Sequence, residues 1–283
     1  MDLSTRVIRD LVERLLDEDI GTGDLTCLAV IPPTVQARAL MVFREAGVVC
    51  GMPVVAAVFA AVDPSLRVTP LVAEGATVAA KAAVLEIVGS ARGILGGERV
   101  ALNLIQRMSG TATLTARFVA AIHGTQARIL DTRKTTPGLR VLEKYAVRIG
   151  GGTNHRFGLY DGVMLKDNHL EILALQGISL GEAVKRAQTA VGPMVQVEVE
   201  VETPAQAGAA ADAGAALIML DNMPPPAMRE AVAFVAGRAK LEASGGVNLE
   251  TVRAIAETGV DYISVGALTH SARALDVGLD VEL

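Results

Sequence analysis

Six short, largely apolar segments alternate with helical segments over the second half of the chain, and this alternation restricts the possible folds strongly. The segments are ARILDT, DGVML, MVQVEVEV, ALIML, KLEAS and DYISVG, and they are separated by amphipathic or alanine-rich stretches. Repeated strand–helix units with apolar strands predict a parallel sheet that is buried on both faces. No GxGxxG motif follows any of the six segments, which argues against a Rossmann dinucleotide site. The residues by themselves therefore favour a closed α/β barrel.

The first part of the chain has a different pattern. Residues 3–16 have the spacing of an amphipathic helix, and DEDIGTGDLT after them reads as a loop. The runs ARALMVF, GVVCGM, LRVTPLV and AVLEIV then predict short strands, with a helix at 54–61 and a long helix at 98–121. We predict an N-terminal domain over residues 1–107, a barrel domain over 108–269, and a C-terminal tail, 270–283, that packs on the N-terminal domain.

Charge and composition exclude several classes of protein. The net formal charge is −5, and the chain has no Trp, so neither a basic patch for duplexes nor a set of stacking platforms for single strands is expected. We expect no nucleic-acid partner. The apolar run Gly47–Val62 is interrupted by Pro53, and the N-terminus lacks a signal-peptide pattern, so we expect no membrane span. Cys27 and Cys50 lack metal-ligand spacing and are interpreted as reduced core thiols of a cytoplasmic protein.

One segment is basic although the whole chain is acidic. Asp131–Leu170 holds seven Lys or Arg against four acids, which predicts an anionic ligand. The charged residues at helical spacing are interpreted as a solvated helix face: Arg140, Glu143, Lys144 and Arg148. The others lie after a strand or in glycine-rich loops, where side chains face a pocket: Arg133, Lys134, His155, Arg156 and Lys166.

Polar residues also follow the later strand segments. They are Glu200, Asp221, the Ser244, Gly245 and Gly246 run, and Gly266. The carboxyl ends of barrel strands share one rim, so these residues should meet the basic ones there. Glycines after the last strands suit a phosphate cradle, and Asp221 suits a metal ion or a ribose hydroxyl. The alternation in VEVEVE leaves open which of Glu198, Glu200 and Glu202 is functional.

Four of the polar side chains allow more than one interpretation. Lys134 and Lys166 suit either a Schiff base, as in barrel aldolases, or electrostatic clamps for an anion, and their basic neighbours favour clamps. His155 lies in a loop rich in hydrogen-bond donors and suits either a ligand contact or a packing histidine whose hydrogen bonds are satisfied within the protein. His169 suits either a helix cap or a ligand contact.

These motifs resemble those of the quinolinate phosphoribosyltransferase family, which are type II phosphoribosyltransferases. The resemblance rests on DTRKTTPGLR, EKYAVRIGGGTNHR, KDNHL, VEVEVE, LDN, ASGGV and DYISVGALTHSARALD, with EDIGTGDLT and ERVALNLIQRMSG before them. It extends in the same order from about residue 18 to the C-terminus. The resemblance implies an α/β fold with an N-terminal α/β sandwich and an incomplete parallel α/β barrel. It also implies a homodimer whose subunits complete each other's active sites.

The implied enzyme is a decarboxylating pentosyltransferase of NAD biosynthesis. It converts quinolinate and phosphoribosyl pyrophosphate to nicotinate mononucleotide, pyrophosphate and CO₂ with Mg²⁺. The family pattern selects Glu200 among the three acids and implies Lys134, Lys166, Glu200 and Asp221 as catalytic residues. It implies Arg99, Arg133, His155, Arg156 and Lys166 for quinolinate. For phosphoribosyl pyrophosphate it implies Lys134, Glu200, Asp221, Ser244, Gly245, Gly246 and Gly266, with Mg²⁺ held by Glu200 and Asp221 and partly by substrate and water.

Three other functions remain possible at this stage. A related type II transferase acts on nicotinate, which has one carboxylate, whereas the density of Arg and Lys favours a dicarboxylate. A non-catalytic relative associated with molybdenum uptake shares the fold. A barrel aldolase would use Lys166 and would leave the glycine run and the arginines unexplained. Assembly beyond the dimer, kinetic order, regulation and the proton donor after decarboxylation do not follow from the sequence.

Overall fold

The computed structural model describes residue 3 and residues 5–282. The chain forms two compact units, each drawn from more than one stretch of sequence. The first contains the described residues of Met1–Ala116, Thr136–Gly151 and Ser271–Leu283. The second contains Arg117–Thr135 and Gly152–His270. A single helix continues through residues 107 and 108, where we predicted the boundary between the two domains. The predicted division of the chain into these domains stays a prediction.

The first unit is built on an antiparallel sheet. Its elements are α1 Thr5–Asp19, α2 Leu25–Val30, β1 Gln36–Phe43, β2 Gly47–Val48, α3 Met52–Val62, β3 Arg67–Pro70, β4 Thr77–Val78, β5 Ala83–Ser90, most of α4 Ala91–Ala121, α5 Arg140–Ile149 and β12 Val277–Glu282. Four strands pair in the order β12-β1-β5-β3, and β2 pairs with β4. The fully buried face of α3, including Val54, Val58 and Phe59, belongs to the core of this unit.

Two elements of this unit differ from the sequence-based prediction because tertiary contacts determine them. β12 pairs with β1 from Phe43 opposite Val277 to Arg38 opposite Glu282, although its residues carry no clear strand signal. Helix α4 begins at Ala91, seven residues before the predicted start, in spite of several glycines. A Cβ on Gly97 would come within 2.9 Å of the Phe59 ring. The glycines therefore lower helix propensity but allow α4 to approach α3 closely.

The charged residues of α5 do not form the solvated face that we predicted. Glu143 and Lys144 are each 2% exposed. The Glu143 carboxylate accepts hydrogen bonds from Nε of Arg107 at 3.0 Å and from the backbone N–H of Thr136 at 3.0 Å. The prediction was wrong because helical spacing shows which residues share a face, but not whether another element covers that face.

The second unit is an α/β sheet. Its strands are β6 Arg128–Leu130, β7 Val163–Leu165, β8 Val197–Val201, β9 Leu217–Asp221, β10 Lys240–Ser244 and β11 Tyr262–Ser264. Its helices are α6 Asp167–Ala174, α7 Leu180–Ala190, α8 Pro204–Asp212, α9 Pro225–Val235, α10 Val252–Ala256 and α11 Ala267–His270, together with the end of α4. All six predicted strands are present and pair in parallel in the order β6-β11-β10-β9-β8-β7.

This sheet is an incomplete barrel, so the closed barrel favoured by the residues alone was wrong, and the open form implied by the resemblance is confirmed. β6 and β7 lie at the two ends of the strand order and do not pair with each other. Next to β6, Thr153 forms a single parallel bridge with Leu130. The strands are buried as predicted for a sheet covered on both faces, and all five residues of β8 are buried.

Helix ends in the second unit follow local sequence signals. Thr203 and Gln206 form a reciprocal capping box at the start of α8. The hydroxyl of Ser179 accepts from the backbone N–H of Glu182 at the start of α7. Among the residues that the structure describes, no helix is long and apolar enough to cross a membrane.

Candidate active site

The carboxyl ends of the parallel strands in the second unit enclose one cavity. The register places Ser244 beside Asp221 and Glu200 beside Met219, so the ends of β8, β9 and β10 meet at the same edge. The cavity measures about 580 Å³ and is lined by Thr132, Arg133, Lys134, His155, Arg156, Met164, Lys166, Glu200, Met219, Asp221, Asn222, Ser244, Gly245, Gly246 and Ser264. Ten of these were candidate site residues from the sequence.

Two of the candidate residues do not line this cavity. Gly266 packs against the side chains of His270 and Lys134, since a Cβ at Gly266 would be 3.0 Å from Nε2 of His270 and 3.2 Å from Cδ of Lys134. Arg99 lies on α4 in the first unit and is exposed. The sequence analysis did not select Thr132, Met164, Met219, Asn222 or Ser264. Of these, only Asn222 carried a signal, since it directly follows a candidate acid at the end of a strand.

Two guanidinium groups supply positive charge to the cavity. The pKa of Arg156 is lowered by burial and, second, by the like charge of Arg133. Nη1 of Arg156 also donates to the carbonyl of Gly162 at 2.7 Å, which fixes its direction. Two cations held close together in a partly dry site favour an anion between them, and guanidinium groups match carboxylates in shape.

Both ring nitrogens of His155 interact with neighbouring groups. Nδ1 accepts the backbone N–H of Arg156 at 2.7 Å. Nε2 lies 3.1 Å from the Glu198 carboxylate and 3.5 Å from the Glu242 carboxylate. A nitrogen that accepts an N–H bond carries no proton, so a ring proton belongs on Nε2, the nitrogen that faces the two carboxylates. The ring therefore directs Nδ1 toward the backbone of Arg156 and Nε2 toward two acids inside the barrel.

The cluster of His155, Glu198 and Glu242 is the one group of possible metal ligands in the described part of the chain, since its ligand atoms lie within 4.8 Å of one another. Burial, and then the charge of Glu198, raise the pKa of Glu242 to about 8. Ser264 also donates its hydroxyl to Glu242.

The geometry separates the three acids of the VEVEVE segment. Glu202 is exposed beyond the end of β8, and Glu198 lies deeper in the barrel beside His155. Glu200 lines the cavity, and one of its carboxylate oxygens lies 3.1 Å from Nζ of Lys166. This ion pair brings a predicted cation and a predicted acid together at the ligand surface. Among the three, Glu200 is the acid that lines this cavity.

Lys166 and His169 form the start of α6. The backbone N–H of Lys166 donates to Nδ1 of His169 at 3.0 Å. Of the two interpretations of His169, the structure supports the helix cap. The side chain of Lys166 thus leaves from a fixed backbone position toward Glu200.

An acid and a glycine turn face each other across β9 and β10. Gly245 and Gly246 both have positive φ, +94° and +63°, which a residue with a side chain adopts only with strain. Successive backbone N–H groups in such a turn form a concave site for an anion such as phosphate. Asp221 ends the neighbouring strand, so a carboxylate stands beside the anion site.

The loop after β6 is shaped by threonines. The backbone N–H of Lys134 donates to the hydroxyl of Thr132 at 3.0 Å, and the hydroxyl of Thr269 donates to the carbonyl of Lys134 at 2.6 Å. The Lys134 side chain is exposed at the cavity. The cavity therefore combines arginines, two lysines, two carboxylates and an anion-binding turn, which suits a ligand with several negative charges.

Comparisons with known proteins agree with this geometry. The model of the quinolinate phosphoribosyl transferase C-terminal domain matches residues 111–280, and that of the N-terminal domain matches residues 24–109. A probable nicotinate-nucleotide pyrophosphorylase (carboxylating) of Bacillus subtilis (strain 168) is 45% identical over 98% of this chain and 94% of its own length. The nicotinate-nucleotide pyrophosphorylase (carboxylating) of Mycobacterium leprae (strain TN) is 44% identical over 96% of both chains.

Solved structures match the whole fold. The crystal structure of NadC from Streptococcus pyogenes has a TM-score of 0.95 and 40% identity, covering 100% of this chain and 99% of its own. The nicotinate-nucleotide pyrophosphorylase from Francisella tularensis has a TM-score of 0.92 and 38% identity, covering 99% and 98%. Sequence and fold therefore point to the same group of proteins.

Proposed function

The chain belongs to the quinolinate phosphoribosyltransferase family, and on that basis we propose how its cavity performs the family's reaction. The enzyme joins quinolinate to phosphoribosyl pyrophosphate and releases nicotinate mononucleotide, pyrophosphate and CO₂. The observation that carries this function is the presence of a guanidinium pair, a carboxylate pair and an anion-binding turn in one cavity.

Quinolinate has carboxylates on two adjacent ring carbons, and the cavity has enough basic residues to bind both of them. Arg133 and Arg156 bind the carboxylates, and Lys166 adds a point charge. His155 borders the ligand, with Nδ1 accepting the backbone N–H of Arg156 and Nε2 facing the Glu198 and Glu242 carboxylates. Its contribution is to fix the backbone of Arg156 and the wall of the cavity. This is a narrower role than the hydrogen-bonding contact that a histidine usually suggests.

Phosphoribosyl pyrophosphate occupies the other side of the cavity. The 5-phosphate binds to the backbone N–H groups of the turn at Ser244, Gly245 and Gly246, and Lys134 binds phosphate oxygens. Gly266 allows the side chain of Lys134 to pack closely against the backbone at this position. As pyrophosphate leaves, positive charge develops at C1 of the ribose, and the Glu200 and Asp221 carboxylates stabilise it.

Glu200 and Asp221 also fit a magnesium ion. Mg²⁺ prefers oxygen ligands and usually takes one or two carboxylates together with substrate phosphates. Both carboxylates line the cavity that would hold those phosphates, so the donor set suits this ion. When bound, Mg²⁺ neutralises charge on the departing pyrophosphate.

Decarboxylation follows from the chemistry of the product. The ring nitrogen becomes cationic when it bonds to ribose, so the electron pair left on the adjacent carbon is stabilised by the substrate itself. A proton then replaces CO₂ at that carbon. The residues of the cavity hold the carboxylate in a partly dry site. Removal of water from the carboxylate favours its departure as uncharged CO₂.

We include two further features in the proposal. The enzyme is a homodimer in which Arg99 of one subunit completes the quinolinate site of the other, as its exposed position on α4 allows. It works in the cytoplasm, where its buried cysteines, Cys27 and Cys50, remain reduced; both are free in the structure.

The direct test is to incubate the purified protein with quinolinate, phosphoribosyl pyrophosphate and Mg²⁺. CO₂ release and nicotinate mononucleotide are measured together, and nicotinate replaces quinolinate in a parallel reaction. We expect one CO₂ per nucleotide from quinolinate. Formation of nucleotide from nicotinate alone would show that the protein is one of the related nicotinate transferases. A folded protein that is inert with both quinolinate and nicotinate would refute the proposed reaction.

A further inference from the structure

Two consecutive residues at the end of β9, Asp221 and Asn222, both line the cavity. Successive side chains in an extended strand point to opposite faces, so an extended chain would place only one of them there. Asn222 has a φ of +51°, in the left-handed region. This conformation ends the alternation and brings both side chains to the same cavity.

Asn222 is bonded to both neighbouring strand ends. Its side-chain Nδ2 donates to Oδ2 of Asp221 at 2.7 Å. Its backbone N–H donates to the carbonyl of Ser244 at 2.9 Å, which extends the pairing of β9 with β10 by one residue. Asn222 thus connects the acid at the end of β9 with the first residue of the anion-binding turn.

The side chain of Asn222 also explains why residue 245 is glycine. A Cβ at Gly245 would lie 2.1 Å from Oδ1 and 2.5 Å from Cγ of Asn222. The amide group therefore lies directly against the backbone of the turn, at a distance that only glycine permits. A rotation of the Asn222 side chain would change the surroundings of both Asp221 and the turn.

Asparagine combines the two properties that this position needs. It adopts the left-handed conformation more readily than most residues, and its amide donates a hydrogen bond without adding charge. Among the described residues, the other non-glycine residues with positive φ are Lys81 and Ala236, and neither lines the cavity. Such conformations are retained where the surrounding structure requires them, often at functional sites.

We propose that Asn222 is a positioning residue that holds the Asp221 carboxylate and the Ser244–Gly246 turn in one fixed arrangement for phosphoribosyl pyrophosphate. This inference rests on the proposed function, since it assigns that substrate to this side of the cavity. One carboxylate oxygen of Asp221 is directed by the amide, and the other remains for the ribose or the metal ion. The guanidinium side of the cavity does not depend on Asn222, so quinolinate binding should be unaffected.

The test compares two substitutions at this position. Asn222→Gly keeps the left-handed backbone and removes the amide, whereas Asn222→Asp keeps the size and removes the donor. We expect KM for phosphoribosyl pyrophosphate to rise by about tenfold or more and kcat to fall in both variants, because a misplaced catalytic group costs rate steeply. The dissociation constant for quinolinate, from calorimetry, should remain within about twofold of wild type.

Thermal unfolding separates positioning from a structural role. Asn222→Gly should have an unchanged or higher Tm, since glycine relieves strain at positive φ. Ala236→Gly is the matched control, because Ala236 also has positive φ, caps the carboxyl end of α9 and does not line the cavity. Its Tm should respond in the same direction while both kinetic constants stay at the wild-type value.

The outcomes distinguish this inference from the proposed function. Wild-type KM for phosphoribosyl pyrophosphate in Asn222→Asp would overturn the inference even if quinolinate turnover is normal, and so would an equal loss of quinolinate affinity. If the wild-type protein is inert with both substrates, the proposed function fails. Binding of inorganic phosphate by calorimetry then decides the inference: weaker binding by both variants supports it, and equal binding refutes it.

Discussion

Arg133 and Lys134 show at the scale of single residues how a short loop directs charge into a cavity. Both follow β6, and both line the same wall, because the loop turns at Thr132 instead of continuing as a strand. Their charges face a site proposed to bind two carboxylates and three phosphate groups. Neither side chain belongs to a hydrophobic core, so each can be removed without opening a cavity in that core.

Replacing either residue by alanine should therefore reduce turnover and leave the fold intact. For Arg133→Ala and for Lys134→Ala we expect kcat/KM to fall by at least about a hundredfold, as for loss of a charge-stabilising group. The measurement is steady-state kinetics with circular dichroism of each variant. Lys185→Ala, on the exposed side of α7, is the control and should keep wild-type kinetics. Near-normal turnover in a folded variant would remove that residue from the site.

Glu242 shows how a buried acid links stability to pH. Its pKa is raised from 4.5 to about 8, first by burial and then by the charge of Glu198. His155, Ser264 and Asp131 also act on this group. At pH values between 4.5 and about 8, Glu242 keeps its proton in the folded protein and releases it in the unfolded chain. Stability from this group is thus complete below pH 4.5 and is lost as the pH rises to about 8.

Glu242→Gln should remove this pH dependence, because glutamine resembles the protonated acid at every pH. We expect the Tm of the variant, relative to wild type, to rise steadily between about pH 5 and 8 and then to level off. Thermal unfolding over a pH series measures this difference. Glu202→Gln makes the same chemical change at an exposed position after the same strand as Glu198 and should follow the wild-type curve. A constant difference across the series would show that Glu242 is ionised in the folded protein.

At the scale of elements, helix α4 depends on glycines for its position in the first unit. Gly110 lies in this helix beside the chain that leads to β12, and a Cβ there would come within 2.0 Å of the carbonyl oxygen of Arg273. The backbone N–H of Leu275 donates to the carbonyl of Gln106 at 3.0 Å in the same region. Close approach of two backbones thus holds the last segment of the chain against α4.

Gly110→Ala should consequently destabilise the protein in spite of the higher helix propensity of alanine. We expect a loss of at least about 2 kcal/mol in the free energy of unfolding, typical of overpacking against rigid backbone. Urea denaturation measures it. Gly208→Ala in α8 is the matched control, since its Cβ would meet the nearest atom at an ordinary 3.8 Å. It should gain up to about 1 kcal/mol from helix propensity. Equal effects of the two substitutions would contradict the packing argument.

At the scale of the whole molecule, the proposed dimer assigns Arg99 and Lys134 to different subunits of each active site. Arg99 is exposed on α4 in the first unit, whereas Lys134 lines the cavity of the second. If the subunits share sites, a mixed dimer of the two single variants contains one pocket with both residues intact. If each chain completes its own site, every pocket in that mixture lacks one residue.

Mixing Arg99→Ala with Lys134→Ala should therefore restore activity that neither variant has alone. After equal amounts are unfolded and refolded together, half of the dimers are mixed and one of their two pockets is intact, so we expect about one quarter of wild-type activity. Each variant refolded by itself is the control. Activity no higher than that of the separate variants, in a mixture shown by mass spectrometry to contain mixed dimers, would refute the shared site.

The pattern of the second half of the chain made the parallel sheet predictable, because fully buried strands need continuous apolar runs whatever surrounds them. The polar residues at the ends of these strands indicated most residues of the cavity, from Arg133 to Gly246, since parallel strands bring their carboxyl ends to one edge. These features depend on local periodicity and on topology, and both follow from the order of the residues along the chain.

Other features required three-dimensional contacts. The burial of Glu143 and Lys144, the strand β12 and the early start of α4 all depend on elements that are distant in sequence. The alternation of the three acids does not specify depth within the barrel, so the resemblance to the family selected Glu200 and the structure places it at the cavity. The role of Asn222 rests on a left-handed backbone and on contact with Gly245. The sequence by itself determined which segments form strands and which polar groups meet at their ends. Only the tertiary structure decided which side chains reach the ligand, because burial and direction depend on neighbours that no local pattern contains.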